Sequence, residues 1–308
     1  MDLNTLAQGI IALLAILALA PLLSGVVNKQ KAVFTGRIGA PVMQPYYELR
    51  RLLRKETINA GSSSFISDIS PSVNLIAMIV AAAMLPVGFM KPLISFEGDI
   101  ILFAYVLGLS RFFQILAAMD IGSSFEGMGA SREATFAVFA EPIFFFTIGS
   151  VAFADNLTSI YDIYHSIKLN NVTYIVFIVI CSISVLILAV TECSRMPIDD
   201  PNTHLELTMI HEVMILDNSG VDLFLYQYSS YVKLCIYAIV EASLFYPFAV
   251  QNSYVAVIIF LVVIAALATT LAVVETVTAR FKLKYVPQYL LFATAIGVLN
   301  LLIYTFTK

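Results

Sequence analysis

The stretch that decides the fold is VTYIVFIVICSISVLILA, residues 172–189, which contains no formally charged side chain. A membrane-spanning α-helix needs about 20 apolar residues to cross a hydrocarbon core of about 30 Å. This run therefore predicts a spanning helix. It is followed directly by VTECSRMPIDDPNTHLELTMIHEVMILDNSG, residues 190–220, which carries many carboxylates, two histidines and one arginine. The rest of the chain has to explain why so polar a segment follows a spanning helix.

The composition indicates a membrane-embedded protein. Hydrophobic residues make up 60% of the 308 residues, and charged residues only 12%. A soluble globular domain has about 25% charged residues. Such a low charge content suits a chain that is surrounded mostly by lipid.

About eight apolar runs are long enough to cross a membrane as helices. They are Leu3–Val27, Val73–Ile94, Ile100–Met119, Glu133–Ala154, Val172–Cys193, Tyr231–Val250, Tyr254–Ala279 and Tyr285–Phe306. The runs do not alternate with period two, which excludes a membrane β-barrel. The first run has no basic segment before it and is too long for a signal peptide, so no cleaved targeting segment is expected. The sequence predicts an all-α polytopic membrane protein with one integral membrane domain, residues 1–308.

The three cysteines are not spaced as metal ligands. Cys181, Cys193 and Cys235 lie in or at the ends of predicted spans and form no C-x-x-C pair. This spacing excludes an iron–sulfur cluster or a structural zinc site. We therefore expect no cofactor on this chain, and any electron transfer must run through another polypeptide.

Lysine and arginine are concentrated on one side of the predicted membrane. About twelve lie on the first, third, fifth and seventh loops and about three on the opposite side, which by the positive-inside rule makes these loops cytoplasmic and places both termini outside. Two of the loops hold most of the extramembrane mass, residues 28–72 and 194–230.

The first loop contains the amphipathic segment QPYYELRRLLRKE, residues 44–56. Its apolar face has Tyr46, Leu49, Leu52 and Leu53, and its basic face has Arg50, Arg51, Arg54 and Lys55. This pattern predicts a helix lying in the membrane interface. The alternative is that the basic residues serve only as an orientation anchor.

The fifth loop contains PNTHLELTMIHEVMIL, residues 201–216, which has helical spacing of its apolar residues. His204 and His211 are expected to lie on one face of this helix, with Glu212 beside the second. The segment lacks the second histidine of an H-E-x-x-H zinc motif. We therefore expect these histidines to face solvent or a partner instead of binding a metal.

Ionisable residues lie inside several predicted spans, where they are costly and normally face a bundle interior or a wet cavity. They are Arg111, Glu141, Glu192, Glu241 and Glu275. Desolvation disfavours the charged form of a carboxyl, so such groups can take up and release protons. The alternative is structural ion pairing, for example Glu141 with Arg111 or Glu241 with Lys233. Carboxyls on four different spans favour a polar path.

The fifth loop is strongly acidic. Its carboxylates are Asp199, Asp200, Glu206, Glu212, Asp217 and Asp222, and Arg195 is the local cation. We interpret this loop as a surface that docks a cytoplasmic protein and loads protons into the carboxylates of the spans.

Motifs in four stretches indicate a family. GRIGAPVMQPYYELRRLLRKE has Arg37, Gly39, Pro41 and Gln44 spaced as R-x-G-x-P-x-x-Q, and LSRFFQILAAMDIGSSFEGMGASREATFAVFAEP contains Arg132 and Glu141. The motif E-x-x-R-x-P-x-D-x-P followed by E-L gives Glu192, Arg195, Pro197, Asp199, Pro201, Glu206 and Leu207, and ETVTARFKL contains Glu275 and Arg280. With these motifs the chain resembles the membrane subunit that respiratory complex I, where it is known as NADH dehydrogenase subunit 1, shares with group 4 membrane-bound nickel–iron hydrogenases such as formate hydrogenlyase. Asn202 and His204 stand where complex I carries further glutamates, and the second and fourth stretches look like the hydrogenase branch.

The resemblance implies a membrane-anchor and ion-coupling subunit of a group 4 hydrogenase-like oxidoreductase, without a redox centre of its own. Its fifth loop would contact a hydrogenase-like large subunit and an iron–sulfur subunit in the cytoplasm, which hold the nickel–iron and iron–sulfur centres. The chain would relay protons or sodium towards antiporter-like membrane subunits in the cell's inner (plasma) membrane.

Roles follow from position within this resemblance. Proton uptake is assigned to Glu192, Asp199, Glu206 and Asp217, and relay to Glu141, Glu241 and Glu275. Arg195 would orient the loop carboxylates, and Arg37 and Gln44 would line a cavity at the partner interface. Arg132, His204, His211 and Glu212 are further candidates for that interface.

Two other functions remain open from the sequence. One is the quinone-site membrane subunit of a complex I-type NADH:quinone oxidoreductase, which would bind quinone between the first-loop helix and the fifth loop. The other is a stand-alone ion-coupled secondary transporter, which predicts internal repeats and broken helices.

Overall fold

The computed structural model describes residues 3–58, 63–167, 172–199, 209–245 and 253–307. Among these residues the chain forms ten α-helices and no strand. They are α1 Leu3–Phe34, α2 Gln44–Leu52, α3 Phe65–Ala83, α4 Asp99–Asp120, α5 Ser124–Asp155, α6 Ile160–Ser166, α7 Val172–Glu192, α8 Gly220–Phe245, α9 Ser253–Val277 and α10 Val286–Thr307. Eight of them are long and apolar enough to cross a membrane, which confirms the predicted all-α polytopic class.

The two central helices are α7 and α8, which pack against each other. Around them α10, α5, α4, α3, α1 and α9 follow in spatial order, each contacting its neighbour in that series. The described connecting residues 35–58, 63–64, 121–123, 193–199, 209–219 and 278–285 lie at one end of the bundle, called here the loop face. The bundle exposes large apolar side chains on its outside, such as Phe292 and Val262, and buries polar side chains such as Arg111 and Glu192.

The second span differs from its prediction. The sequence predicted Val73–Ile94, but the helix is Phe65–Ala83. It starts earlier because the Ser64 hydroxyl accepts a hydrogen bond from the Ile66 N–H and caps the helix. It ends earlier because Pro86 and Gly88, the latter with a φ of +59°, follow in a tight turn.

The fifth loop is shorter than predicted. Helix α8 begins at Gly220, whereas the sequence predicted a loop over 194–230 and a span from Tyr231. The polar residues at the start of α8 resemble a loop in the sequence, but Tyr226 and Ser229 are buried inside the bundle. The first loop is also shorter than predicted, because α1 continues to Phe34 and α3 begins at Phe65.

The helix predicted over residues 201–216 is wrong for the part that the structure describes. Met209 to His211 are not helical, and Glu212–Ile215 form only a short 3-10 turn. The backbone N–H groups of Ile210 and His211 donate to the Asp199 carboxylate instead of to helical carbonyl groups. Among the described residues of this segment, Met209, Ile210, Val213, Met214 and Ile215 are buried and Leu216 is exposed, so the apolar residues do not form one helical stripe.

The amphipathic first-loop helix is confirmed as α2. Its residues Leu49 and Leu52 are buried, α2 packs against α1 and α8, and Arg50 and Arg51 are exposed. Leu53 follows the end of the helix and is exposed, so it does not belong to the apolar face as predicted. Its location in a membrane interface stays a prediction.

Candidate functional site

Four spanning helices meet at a buried group of charges near the loop face. The Arg111 guanidinium on α4 contacts the Glu133 carboxylate on α5 at 3.3 Å and also donates to Glu192 at the end of α7. The Lys233 ammonium on α8 contacts the other oxygen of Glu192 at 2.7 Å. Each charge inside this central charge group therefore has an opposite charge in direct contact.

The fifth loop joins the central charge group through His211. Its Nε2 lies 3.2 Å from Glu133, and its Nδ1 lies 3.6 Å from Asp199. Asp199 also contacts Arg280, from the connection after α9, at 2.8 Å. The result is a continuous row of charges: Arg280, Asp199, His211, Glu133, Arg111, Glu192 and Lys233.

The charges in this row set the pKa values of its loop residues. Burial alone would lower the pKa of His211, but the carboxylates of Glu133 and Asp199 outweigh it and raise the pKa above its usual value. Burial alone would raise the pKa of Asp199, but the His211 imidazole and two backbone N–H groups lower it. Both effects favour an ion pair between imidazolium and carboxylate.

The His211 contacts predict that stability depends on pH. The pKa of His211 is raised on folding, so its contribution is fully present below the unfolded value of about 6.5 and is lost as pH rises through the folded value. We expect the melting temperature of the detergent-solubilised protein to fall as pH rises between these two pKa values. The slope of melting temperature against pH is expected to be smaller in His211→Gln. His165→Gln, whose ring stacks on Tyr161 at the opposite end, is the control. An equal slope in both variants would contradict the assignment.

A second charge group lies where α1, α7 and α9 approach the loop face. The Glu275 carboxylate contacts Lys31 at 3.2 Å and Arg195 at 3.1 Å. Arg195 also contacts Ser24 and Asn28 of α1. Arg195 was predicted to orient the loop carboxylates, but the carboxylate that it contacts is Glu275 on α9, because the chain after α7 turns back towards α1.

Glu241 lies deeper in the bundle, on the same side of α8 as Lys233 and Tyr237. Successive members of this set are four residues apart, which corresponds to a rise of about 6 Å along the helix axis. The Ser182 hydroxyl of α7 donates to one oxygen of Glu241, and the other oxygen is buried without a hydrogen-bond partner among the described residues. The suggested pairs Glu241–Lys233 and Glu141–Arg111 are not those found, since Glu192 is the partner of both cations.

Glu141 lies on the outside of α5 and is exposed. It borders a cavity of about 40 Å³ between α4 and α5, whose lining includes Arg111, Glu192 and Tyr237. The cavity connects the outer surface of the bundle with the central charge group.

The remaining candidate residues have separate surroundings. Asp217 and Arg37 are exposed, Gln44 donates to Glu48 within α2, and Arg132 donates to the Met209 carbonyl group at 2.7 Å. Glu212 and His211 both line a cavity of about 50 Å³. His204 and Glu206 lie outside the described residues. His211 was expected to face solvent or a partner and is instead held inside by two carboxylates.

Sequence reasoning gave no role in the site to three members of the row, Glu133, Lys233 and Arg280. Glu133 was placed at the end of a predicted span, whereas α5 begins nine residues earlier, at Ser124. Lys233 lay in a predicted span and was considered only as a partner of Glu241. Its spacing of eight residues from Glu241 was the available signal.

Comparison with known proteins identifies the family. A family model described as NADH dehydrogenase matches residues 7–305. The chain belongs to this NADH dehydrogenase subunit 1 family. Formate hydrogenlyase subunit 4 of Escherichia coli (strain K12) is 26% identical over 289 residues, covering 91% of this chain and 92% of the relative. Hydrogenase-4 component C of the same organism is 28% identical over 246 residues, covering 79% and 75%.

A solved structure of the membrane-bound sulfane sulfur reductase, an archaeal respiratory membrane complex, contains a chain with the same fold. The TM-score is 0.81 at 19% sequence identity, and the match covers 98% of this chain and 100% of the other. The family resemblance expected from the motifs is thus confirmed, and the fold is that of a subunit in a membrane complex.

Proposed function

We propose that the chain is the membrane-anchor and ion-coupling subunit of a group 4 hydrogenase-like oxidoreductase complex, and that it relays protons through its buried carboxylates. The observation that carries this proposal is the continuous row of charges from Arg280 to Lys233. It joins the fifth loop to the interior of the bundle, and so a change at the loop alters the charge balance around Glu192. The names of both curated relatives support the hydrogenase branch.

The loop face is proposed to be cytoplasmic, with both termini outside and the chain in the inner (plasma) membrane. The basic residues of the first loop support this orientation. A hydrogenase-like large subunit and an iron–sulfur subunit would then dock on the fifth loop, and they would hold the nickel–iron and iron–sulfur centres.

The relay runs from the loop face into the bundle. Asp199 and His211 hold a proton at the loop, and Glu192, which contacts Arg111 and Lys233, receives it. A proton that reaches Glu192 passes along α8 by way of the Tyr237 hydroxyl to Glu241.

A side branch leads to the membrane. Glu141 borders the cavity that reaches Glu192, and an exposed carboxylate on a spanning helix needs a polar neighbour in the bilayer. An antiporter-like membrane subunit that covers Glu141 would receive protons there. Glu275 contacts two cations, an arrangement that suits holding Arg195 and the loop in place better than the relay role suggested by the sequence.

The composition of the native complex tests this proposal. We expect nickel and iron–sulfur centres to copurify with the affinity-tagged chain when it is extracted in mild detergent, in amounts near one complex per chain. A complex that holds iron–sulfur centres and reduces quinone with NADH would instead favour the complex I-type alternative. A chain that purifies alone and transports ions in liposomes would overturn the proposal.

A further inference from the structure

A polar cavity of about 50 Å³ lies between α3, α4, α8 and the segment after α7. Its lining includes Asn74, Ser110, Gln227, Ser229 and Lys233, and one wall is Glu192. A buried water needs roughly 10–15 Å³ of such space, so the cavity has room for about three to five waters.

The cavity lining supplies groups that need such waters. The Gln227 side-chain oxygen is buried and has no hydrogen-bond partner among the described residues. A buried acceptor without a partner is costly, and an ordered water removes that cost. The cavity is therefore suited to a water cluster that touches Glu192 directly.

Tyr226 lines this cavity together with the fifth-loop residues His211 and Glu212. It is buried on α8, and its hydroxyl donates to the Ser70 hydroxyl of α3 at 2.8 Å. Asp222 lies one turn earlier on α8 and interacts electrostatically with Tyr226. Along α8, Tyr226 therefore lies between Asp222 and the other cavity-lining residues of that helix.

A second, smaller cavity of about 20 Å³ lies at the loop face and is acidic. Its lining includes Asp68, Asp217, Asp222 and Asn218. Beside it the wholly buried Glu126 accepts the Asp217 N–H at 3.0 Å, and its other oxygen has no hydrogen-bond partner in the described part of the chain. Glu126 also interacts electrostatically with Tyr226. Acidic groups therefore lead from the loop face to the Tyr226 hydroxyl.

We propose that the relayed protons enter from the aqueous phase through this acidic cavity and pass Tyr226 and the internal water cluster to Glu192. A proton held by Asp222 moves to the Tyr226 oxygen while the Tyr226 hydroxyl breaks its hydrogen bond to Ser70 and gives its own proton to a cavity water, so that no net charge stays on the phenol. This uptake path rests on the proposed relay. It differs from loading at Asp199 and His211, because it starts at Asp222 and reaches Glu192 without passing along the row of charges.

A pair of tyrosine variants tests the path. Tyr226 and Tyr228 both lie on α8, but the Tyr228 hydroxyl donates to the Leu17 carbonyl group of α1, away from the cavity. In membrane vesicles containing the assembled complex, we expect Tyr226→Phe to lower the rate of proton translocation about tenfold, equal to about 1.4 kcal/mol of barrier. The rate in Tyr228→Phe is expected to stay within about twofold of the wild type, a change of about 0.4 kcal/mol by the same relation. Equal rates in the two variants would overturn the path.

A second variant covers the case in which Tyr226→Phe fails to assemble. Asp222 is only half-buried and lies at the acidic cavity, and the same loss of translocation is expected for Asp222→Asn. Normal translocation in this variant would overturn the path by itself. If Glu192→Gln is uncoupled while Tyr226→Phe and Asp222→Asn translocate normally, the relay stands and the path is wrong. If Glu192→Gln and Glu241→Gln both translocate normally, the relay itself is wrong, and the path with it.

Discussion

Replacing Glu192 with glutamine is expected to reduce proton translocation by the assembled complex about tenfold or more, because glutamine cannot take up the proton that the relay passes on. A tenfold effect requires only about 1.4 kcal/mol of added barrier. The soluble redox activity of the partner proteins should remain, since no redox centre is expected on this chain. Translocation and redox turnover are measured together in inverted membrane vesicles, and the result is their ratio.

Glu192→Gln also leaves Arg111 and Lys233 without one of their partners, so a second carboxylate separates proton transfer from structure. Glu241 contacts only the Ser182 hydroxyl among the described hydrogen bonds, and Glu241→Gln keeps its shape and that contact. We expect the same loss of translocation. Glu97→Gln, an exposed carboxylate at the opposite end of the bundle, is the matched control. If Glu192→Gln and Glu241→Gln both keep the wild-type ratio of proton translocation to redox turnover, the proposed relay is wrong.

Replacing Arg111 with methionine is expected to destabilise the protein by about 3–5 kcal/mol, the usual effect of leaving a buried charge without its partner. Arg111 is the cation between Glu133 and Glu192, and methionine removes both contacts at once. Lys233 would still contact Glu192, but Glu133 would keep only His211. The measurement is chemical unfolding in detergent, monitored by the decrease of the helical circular dichroism signal.

The control for Arg111→Met is Arg54→Met in the exposed basic segment after α2. Arg54 is exposed, so its loss is expected to change stability by less than about 0.5 kcal/mol. Glutamine in place of Glu133 should restore part of the loss in the Arg111 variant, because it removes the carboxylate left without a guanidinium. Equal stability of the two arginine variants would show that the central charge group contributes little to the fold.

The spanning helices could be predicted from the sequence because a run of about 20 apolar residues has few other folds available. Their ends could not be predicted equally well. Tyr226 and Ser229 were assigned to the fifth loop, and Lys233 to the start of a span, because a hydropathy pattern shows only that these residues are polar. Their packing around an internal cavity depends on α3 and α4, which lie far away in the sequence.

The candidate site was predicted in part. Glu192, Asp199 and His211 were chosen from motif and position, and all three belong to the row of charges. The partners suggested for Arg111 and Arg195 were Glu141 and the loop carboxylates, and both differ from those found, because the sequence does not show which spans are adjacent. Helix α4 contacts α5 through Arg111 and Glu133, whereas Arg195 turns back to α1 and α9.

The spacing of Lys233, Tyr237 and Glu241 along α8 sets a length requirement on the helix. Four residues turn an α-helix by slightly more than one full turn, so each step shifts the side chain by about 40° around the axis. Lys233 consequently reaches Glu192 near the end of α7, and Glu241, about two turns further along α8, reaches Ser182. Inserting or deleting one residue between them would rotate Glu241 by about 100° and point it at a different neighbour. We therefore expect substitutions within this interval to be tolerated far more readily than any change in its residue count.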